Sequence, residues 1–170
     1  MACPRIVLDT NCLASALVFS RSRLSPLRTH WQSLRYIPLG CEESVNELIR
    51  VLAYPKFKLS KEEIEQLLAD LLPFLETFQV HGAYEPIDGV NDLADTASIR
   101  LAQQAGADLL VSGDEAVLAL HGKIPGLAVG KPDAFLRAFE TTRKTKLVVR
   151  HNNQGTVVIK ECRVSASGGS

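Results

Sequence analysis

Five acidic residues of this chain lie where an apolar segment ends or where a helix is predicted to begin. They are Asp9, Glu47, Asp92, Asp95 and Asp114. Asp9 directly follows the apolar run 5–8, and Asp114 follows the apolar run 108–112 after a single glycine. Carboxylate oxygens are the ligands that Mg²⁺ and Mn²⁺ prefer. If these side chains converge in the fold, they form a candidate divalent-metal site, and such sites activate water for hydrolysis.

Each acid also has an explanation that involves no metal. Asp9 has the type and position of a helix cap, and Glu47 is spaced to form a capping box with Ser44. Asp92 and Asp95, three residues apart on one helix face, suit the positive end of a helix dipole. Acids that converge without a cation repel one another in a cleft of low dielectric, and a divalent ion removes that cost. Both interpretations are open at the level of the sequence.

Strands that alternate with helices must position these acids. Apolar runs predict strands over 5–8, 35–39, 108–112 and 126–129. Capping signals and apolar stripes predict helices that begin at Ser25, Ser44, Ser60, Leu93 and Pro132. The alternation predicts an α/β fold with three layers (α/β/α) and a central parallel sheet, whose ligand sites lie at the carboxyl ends of the strands. Asp9 and Asp114 fall at two such ends.

Turn-forming residues mark the predicted ends of the helices. Pro55 ends the second predicted helix. Glu63 completes a capping box with Ser60, and Pro73 kinks or ends the helix that starts there. The polar segment 82–94 predicts a surface loop.

The segment after the last predicted helix has a different pattern. Residues 146–151 (KLVVRH) and 156–161 (TVVIKE) flank the turn-forming NNQG, which predicts a C-terminal β-hairpin. We therefore divide the chain into one α/β domain over 1–142, a hairpin extension over 143–164 and a flexible tail over 165–170. A chain of 170 residues is long enough for one such domain with a substantial core.

The composition sets limits on partners and on location. Lys plus Arg and Asp plus Glu both total 19, so no overall charge directs the chain to nucleic acid or to acidic membranes. Four cysteines without a CxxC pair are typical of reduced thiols rather than of a disulfide framework. No apolar run approaches the about 18 residues of a membrane span. We expect a cytoplasmic protein without a membrane segment.

Three segments together resemble the PIN-domain nucleases, and within that family they are most similar to the VapC-like toxins of toxin–antitoxin systems. The segments are IVLDTNCLASAL (6–17), NELIRVLAYPKF (46–57) and DLADTASIRLAQQAGADLLVSGDEAVLAL (92–120). The resemblance covers about residues 5–140 in the expected order. It implies a PIN-like fold and hydrolysis of phosphodiester bonds in RNA with Mg²⁺ or Mn²⁺. It also implies a homodimer and a protein antitoxin as partner.

The same resemblance implies roles for the acids. The implied catalytic residues are Asp9, Glu47, Asp95 and Asp114, and the implied metal ligands are Asp9, Asp95, Asp114 and Asp92. The motif around Asp95 commonly has two adjacent aspartates, and this chain has Thr96 at the second position. The third ligand is therefore either Asp95 or Asp92. Glu47 is expected to bind a second metal or to orient and deprotonate the attacking water.

Polar, basic and aromatic side chains complete the expected site. Asn11 and Ser112 are expected to hold ligand carboxylates in position, and a turn or cap role is the alternative. The expected substrate contacts are the basic residues Arg21, Arg23 and Arg28, for which a solvated face is the alternative. Trp31 and Tyr36 have side chains that stack on RNA bases when exposed, and core burial is the expectation for Trp31.

Two alternatives to a ribonuclease fit part of the pattern. A degenerate PIN scaffold would bind RNA or protein without cleavage; Thr96 supports it, and the retained acids argue against it. An aspartate-based phosphatase or phosphoacceptor also has an aspartate after its first strand. The phosphatases have a second aspartate two residues later, where this chain has Asn11. A phosphoacceptor would use Lys131 but leaves Glu47 and Asp95 unexplained.

Overall fold

A five-stranded, all-parallel sheet lies at the centre of the computed structural model, which describes residues 3–141, 150–151 and 157–158. The strands are β1 (Arg5–Leu8), β2 (Ile37–Gly40), β3 (Glu76–Thr77), β4 (Leu109–Val111) and β5 (Val129–Gly130). Their spatial order is β3-β2-β1-β4-β5, so β1 is the central strand and pairs in parallel with both β2 and β4. The chain progresses in one direction from β1 to β3 and in the other from β4 to β5. The sheet therefore has its topological switch point between β1 and β4, where open α/β sheets bind ligands.

Helices connect these strands. Within the described residues they are α1 (Thr10–Val18), α2 (Ser25–Gln32), α3 (Glu42–Leu52), α4 (Lys61–Ala69), α5 (Leu93–Ala105), α6 (Glu115–Leu118) and α7 (Pro132–Thr141). Short 3₁₀ helices cover Pro55–Phe57 and Leu72–Phe74.

Side chains of the strands alternate between two hydrophobic cores, one on each face of the sheet. Ile6 and Leu8 of β1 are buried with side chains of α1, α2, α3 and α7. Val7, between them, is buried with side chains of α5. Successive residues of a strand point to opposite faces, so helices cover both faces of the sheet. The predicted three-layer α/β/α fold with a central parallel sheet is confirmed.

The start of α3 differs from the prediction. α3 begins at Glu42 with Cys41 as its N-cap, and the Ser44 hydroxyl accepts a hydrogen bond from the Cys41 N–H at 2.9 Å. The prediction that Ser44 begins this helix with Glu47 in its first turn is wrong. Ser44 is instead the third residue of the helix, and its side chain accepts the backbone N–H of the N-cap residue. Glu47 lies in the second turn and is therefore released from any capping role.

Other helix signals agree with the structure. The capping box of α4 is confirmed: the Ser60 N–H donates to Glu63 at 2.7 Å, and the Glu63 N–H donates to the Ser60 hydroxyl at 3.1 Å. Pro55 and Pro73 each lie in a 3₁₀ turn after a helix has ended. The predicted loop over 82–94 has only an isolated bridge between Ile87 and Val90 before α5 begins.

Near the C-terminus, β6 (Arg150–His151) pairs antiparallel with β7 (Val157–Val158), as a hairpin requires. The rest of the predicted hairpin, its boundary with the α/β domain near residue 142 and the predicted tail 165–170 lie outside the described residues. The division of the chain into these three parts stays a prediction. In the part that the structure describes, every helix is too short or too polar to cross a membrane.

Candidate active site

Asp9 lies at the carboxyl end of the central strand and is 5% exposed. It caps α1, with Oδ1 accepting a hydrogen bond from the Cys12 N–H at 2.7 Å. Oδ2 accepts one from the Ser112 hydroxyl at 2.6 Å. Both carboxylate oxygens are thus fixed by a donor, and each retains a lone pair for a further ligand. The two sequence interpretations of Asp9, helix cap and member of an acidic site, are therefore compatible.

Ser112 connects the two loops at the switch point. It is fully buried, its hydroxyl donates to Asp9, and the hydroxyl oxygen accepts a hydrogen bond from the Asp114 N–H at 3.1 Å. Asp114 caps α6, with Oδ1 accepting from the Ala116 N–H at 2.8 Å and from the Val117 N–H at 3.3 Å. Ser112 therefore fixes the position of the Asp114 backbone relative to the Asp9 carboxylate.

Asp95 has three acidic neighbours from three different parts of the chain. Burial, followed by the negative charges of Asp92, Asp114 and Asp9, raises the pKa of Asp95 from its ordinary value of 3.8 to about 7. Asp92 caps α5, with Oδ1 accepting from the Ala94 N–H at 2.7 Å. The four aspartates are close enough for their charges to interact, and each of the other three raises the cost of ionising Asp95.

Thr96, at the position where the sequence pattern departs, is buried in the first turn of α5. Its hydroxyl donates to the Asp92 carbonyl at 3.0 Å. The residue that replaces a second aspartate thus makes an intrahelical hydrogen bond, and Asp92 and Asp95 stay at the start of the helix.

Glu47 lies on α3 and lines a cleft with one of the four aspartates, Asp92. It forms an ion pair with Arg50, one helical turn later, at 2.5 Å, and this pair raises the pKa of Arg50. The charge of Asp92 adds to that effect. Glu47 and Asp92 line one cleft of about 340 Å³ together with Arg50 and Tyr84, and we call it the Glu47 cleft.

A second cleft of about 510 Å³ is lined by Asp9 and Asp114, and we call it the Asp9 cleft. Asn11 and Arg23 also line it, as does Lys131. The two clefts divide the predicted acids into Asp9 with Asp114 on one side and Glu47 with Asp92 on the other. Asp95 lines neither, but its electrostatic neighbours come from both.

The three predicted substrate arginines do not lie together. Arg23 lines the Asp9 cleft and forms an ion pair with Asp133 at 3.1 Å. Arg28 forms an ion pair with Asp70, directly after α4, and so connects α2 to the end of α4. Arg21 is exposed in the loop between α1 and α2. Only Arg23 of the three lines a cleft with a predicted site acid.

The two aromatic residues considered for stacking are both in the core. Trp31 is buried, as expected, and its Nε1 donates to the Asp70 carbonyl at 3.0 Å. Tyr36 is buried as well, and its hydroxyl donates to the Leu27 carbonyl at 2.8 Å. The structure brings Tyr84 to the Glu47 cleft instead, where it is 51% exposed. Its place in a polar loop carries no periodic signal that would have identified it.

Asn11 and Cys12 border the acids without contributing a charge. Asn11 is exposed in the first turn of α1. Burial raises the pKa of the Cys12 thiol, and the charge of Asp9 raises it further. The thiol therefore stays protonated, which excludes it as a nucleophile.

The donor chemistry of the four aspartates fits a divalent ion. Carboxylate oxygens suit Mg²⁺ or Mn²⁺, and burial together with three neighbouring carboxylates raises the pKa of Asp95. Among the described residues, no three acidic, histidine or cysteine side chains are spaced closely enough to hold one ion as they stand.

The fold and the site define an α/β protein with an acidic centre at the switch point of its sheet. The chain belongs to the PIN domain family, whose profile matches residues 5–116. The sequence-based resemblance is thereby confirmed. No curated protein sequence matches the chain.

Solved structures with a similar fold include VapC-type proteins. VapBC2 from Rickettsia felis, bound to a DNA fragment from its promoter, aligns with a TM-score of 0.53 and 16% identity over 75% of this chain and 98% of that chain. PAE2754 from Pyrobaculum aerophilum aligns with a TM-score of 0.54 and 12% identity over 83% and 100% of the two chains. VapC20 from Mycobacterium tuberculosis, a toxin that cleaves the sarcin-ricin loop, aligns with a TM-score of 0.51 and 17% identity over 67% and 93%.

Proposed function

We propose that this protein is an endoribonuclease that depends on Mg²⁺ or Mn²⁺ and acts as the toxin of a toxin–antitoxin pair. The observation that carries the proposal is the grouping of Asp9, Asp92, Asp95 and Asp114, in which burial and the neighbouring carboxylates raise the pKa of Asp95 to about 7. Membership of the PIN domain family supports the same conclusion. An acidic group of this kind disfavours binding of RNA unless a cation is present.

In the proposed reaction each acid has a distinct part. Asp9, Asp95 and Asp114 would hold the divalent ion, and Ser112 keeps the Asp9 carboxylate in one orientation. A bound ion of this kind lowers the pKa of water and offsets charge on the leaving oxygen.

Glu47 is the proposed acceptor of the proton from the attacking water. Its ion pair with Arg50 orients its carboxylate in the Glu47 cleft. The water oxygen bonds to phosphorus as the bond to the leaving oxygen breaks, and the leaving oxygen then takes up a proton.

The proposed partners follow from the neighbours. VapC20 is a toxin that cleaves the sarcin-ricin loop, and the VapBC2 structure is that of a VapBC complex. We therefore assign this chain an RNA substrate and a protein antitoxin, and we propose a homodimer in the cytoplasm. Co-purification of the chain with the product of an adjacent gene, and loss of RNA cleavage in that complex, tests the antitoxin part.

The substitution Asp9→Asn tests the nuclease. Asparagine caps a helix as well as aspartate does, so the fold is expected to persist while Mn²⁺-dependent cleavage of single-stranded RNA is lost. Cleavage is measured on a labelled RNA by gel, and folding by circular dichroism. Asp88→Asn, which neutralises an exposed carboxylate in the loop before α5, is the matched control and should cleave normally. Cleavage by Asp9→Asn at the wild-type rate would overturn the proposal.

The alternatives account for fewer observations. A phosphoacceptor would use Lys131, which does line the Asp9 cleft, but it leaves the charges of Asp92 and Asp95 without a purpose. A scaffold that binds without cleavage gains nothing from four negative groups that face a phosphate backbone.

A further inference from the structure

The Asp9 cleft contains two cationic side chains, Arg23 and Lys131, beside Asp9 and Asp114. Lys131 directly follows β5, just as Asp9 follows β1, and these strands flank β4 at the same edge of the sheet. Arg23 reaches the cleft from the loop between α1 and α2. Two further acids, Glu115 and Asp133, line the same cleft.

Each of these cations forms an ion pair with an acid outside the four-aspartate group. Arg23 pairs with Asp133 at 3.1 Å, and Lys131 approaches Glu115 at 3.9 Å. The side chains are largely in solvent, at 80% and 39% exposure in the first pair and 64% and 86% in the second. Exposed ion pairs of this kind stabilise a protein little, because water and salt screen them.

A phosphate group can replace the carboxylate in both pairs. It has the same sign of charge and presents several oxygens, and Arg binds two of them at once. Asp133 and Glu115 are at the first turns of α7 and α6, so they stay in place when the cations exchange partners.

We propose that Arg23 and Lys131 bind backbone phosphates of single-stranded RNA at the Asp9 cleft, and that they leave Asp133 and Glu115 to do so. The proposal rests on the proposed nuclease function and adds the residues that position the substrate. Its specific consequence is that the two partner acids oppose RNA binding. Removing a cation weakens binding, and removing its partner acid strengthens it.

Binding of a fluorescein-labelled single-stranded RNA to the full chain tests the proposal. Anisotropy is measured in Ca²⁺, a cation that binds carboxylate oxygens and offsets the charge of the site acids, over a series of salt concentrations, and the RNA is checked intact by gel. Each phosphate contact to a single strand contributes about 0.7 to the slope of log K against log salt, which is a loss of about fivefold at 0.1 M salt. We expect Lys131→Ala and Arg23→Ala each to lower the slope and the affinity by these amounts.

Two sets of variants separate this effect from a general loss of charge. Lys123→Ala removes an exposed lysine from the loop between α6 and β5 and should bind as wild type does. Asp133→Asn and Glu115→Gln should raise the affinity, which a purely structural role of these acids does not predict. Lys131→Ala with the wild-type slope, or a wild-type chain that does not bind the RNA, would overturn the proposal.

A parallel cleavage assay in Mn²⁺ distinguishes failure of the nuclease function from failure of the phosphate contacts. If the chain binds RNA through Lys131 but does not cleave it, the phosphate contacts stand and the nuclease function fails. If the chain cleaves RNA and Lys131→Ala leaves KM unchanged, the nuclease stands and the phosphate contacts fail.

Discussion

The substitution Asp95→Asn should stabilise the metal-free protein while it abolishes RNA cleavage. Burial and the charges of Asp92, Asp114 and Asp9 make ionisation of Asp95 unfavourable, so its ionised form lowers the stability of the folded protein. Asparagine has nearly the same shape and no charge, so it removes the repulsion without leaving a cavity. A residue that lowers stability and is required for activity is typical of a functional site.

The magnitude follows from the pKa of Asp95. The difference between about 7 and 3.8 corresponds to about 4 kcal/mol, at about 1.4 kcal/mol per pKa unit. Because the carboxyl group is only partly buried, solvent screening reduces this value, and we expect about 2 kcal/mol at pH 8.

The effect should depend on pH with a definite sign. Between about pH 4 and pH 7 the unfolded chain has released the Asp95 proton and the folded chain retains it, so this group lowers stability progressively as pH rises. Above about pH 7 both states are ionised and the effect is constant. The stabilisation by Asp95→Asn should therefore be less than half as large at pH 5 as at pH 8.

Urea unfolding at pH 5 and pH 8 in EDTA measures the effect, with Asp88→Asn as the control for loss of one exposed negative charge. Addition of Mn²⁺ should reverse the order, because an ion that binds only the folded wild type stabilises it by mass action. Equal stabilisation at the two pH values, or destabilisation by Asp95→Asn at pH 8, would refute the electrostatic explanation.

Three further outcomes are expected. Mn²⁺ should raise the Tm of wild type more than that of Asp114→Asn, and equal shifts would mean that Asp114 is not a ligand. Ser112→Ala should lower the free energy of unfolding by about 1–3 kcal/mol in urea, because Asp9 and the Asp114 N–H lose a buried partner; unchanged stability would contradict this role. Ser60→Ala should cost about 1 kcal/mol through loss of its cap and leave cleavage unchanged; a lower cleavage rate per folded molecule would show that α4 reaches the site.

The elements with strong local signals were predictable from the sequence. β1 and β4 are apolar runs at the centre of the sheet, and α5 begins and ends at the predicted residues. β3 was not predicted, because its two residues are exposed and their pairing is set by the neighbouring strand β2. The start of α3 was missed because cysteine is an uncommon N-cap, and Ser44 with Glu47 has the spacing of a capping box.

The site was predictable where chain order determines position. Asp9 and Asp114 follow adjacent strands, so the sheet alone brings them together. The same rule places Lys131 after β5 at this edge of the sheet. A single lysine after a strand does not form a recognisable motif, so the sequence did not identify Lys131 as a substrate contact. The partner of Arg28 is Asp70, 42 residues away in sequence. Such a pairing depends on how two helices pack, and local patterns do not encode it.

Three acids of the site are also the N-caps of helices: Asp9 for α1, Asp92 for α5 and Asp114 for α6. Alanine substitutions at these positions would remove a cap and a site carboxylate in one step, and a loss of activity could then reflect unfolding. Selection for capping also persists after catalysis is lost, and asparagine satisfies it as well as aspartate. A relative that has lost its activity is therefore expected to carry asparagine, serine or threonine at these positions. Such a relative would keep the fold, and the neutral capping residues would identify it as inactive.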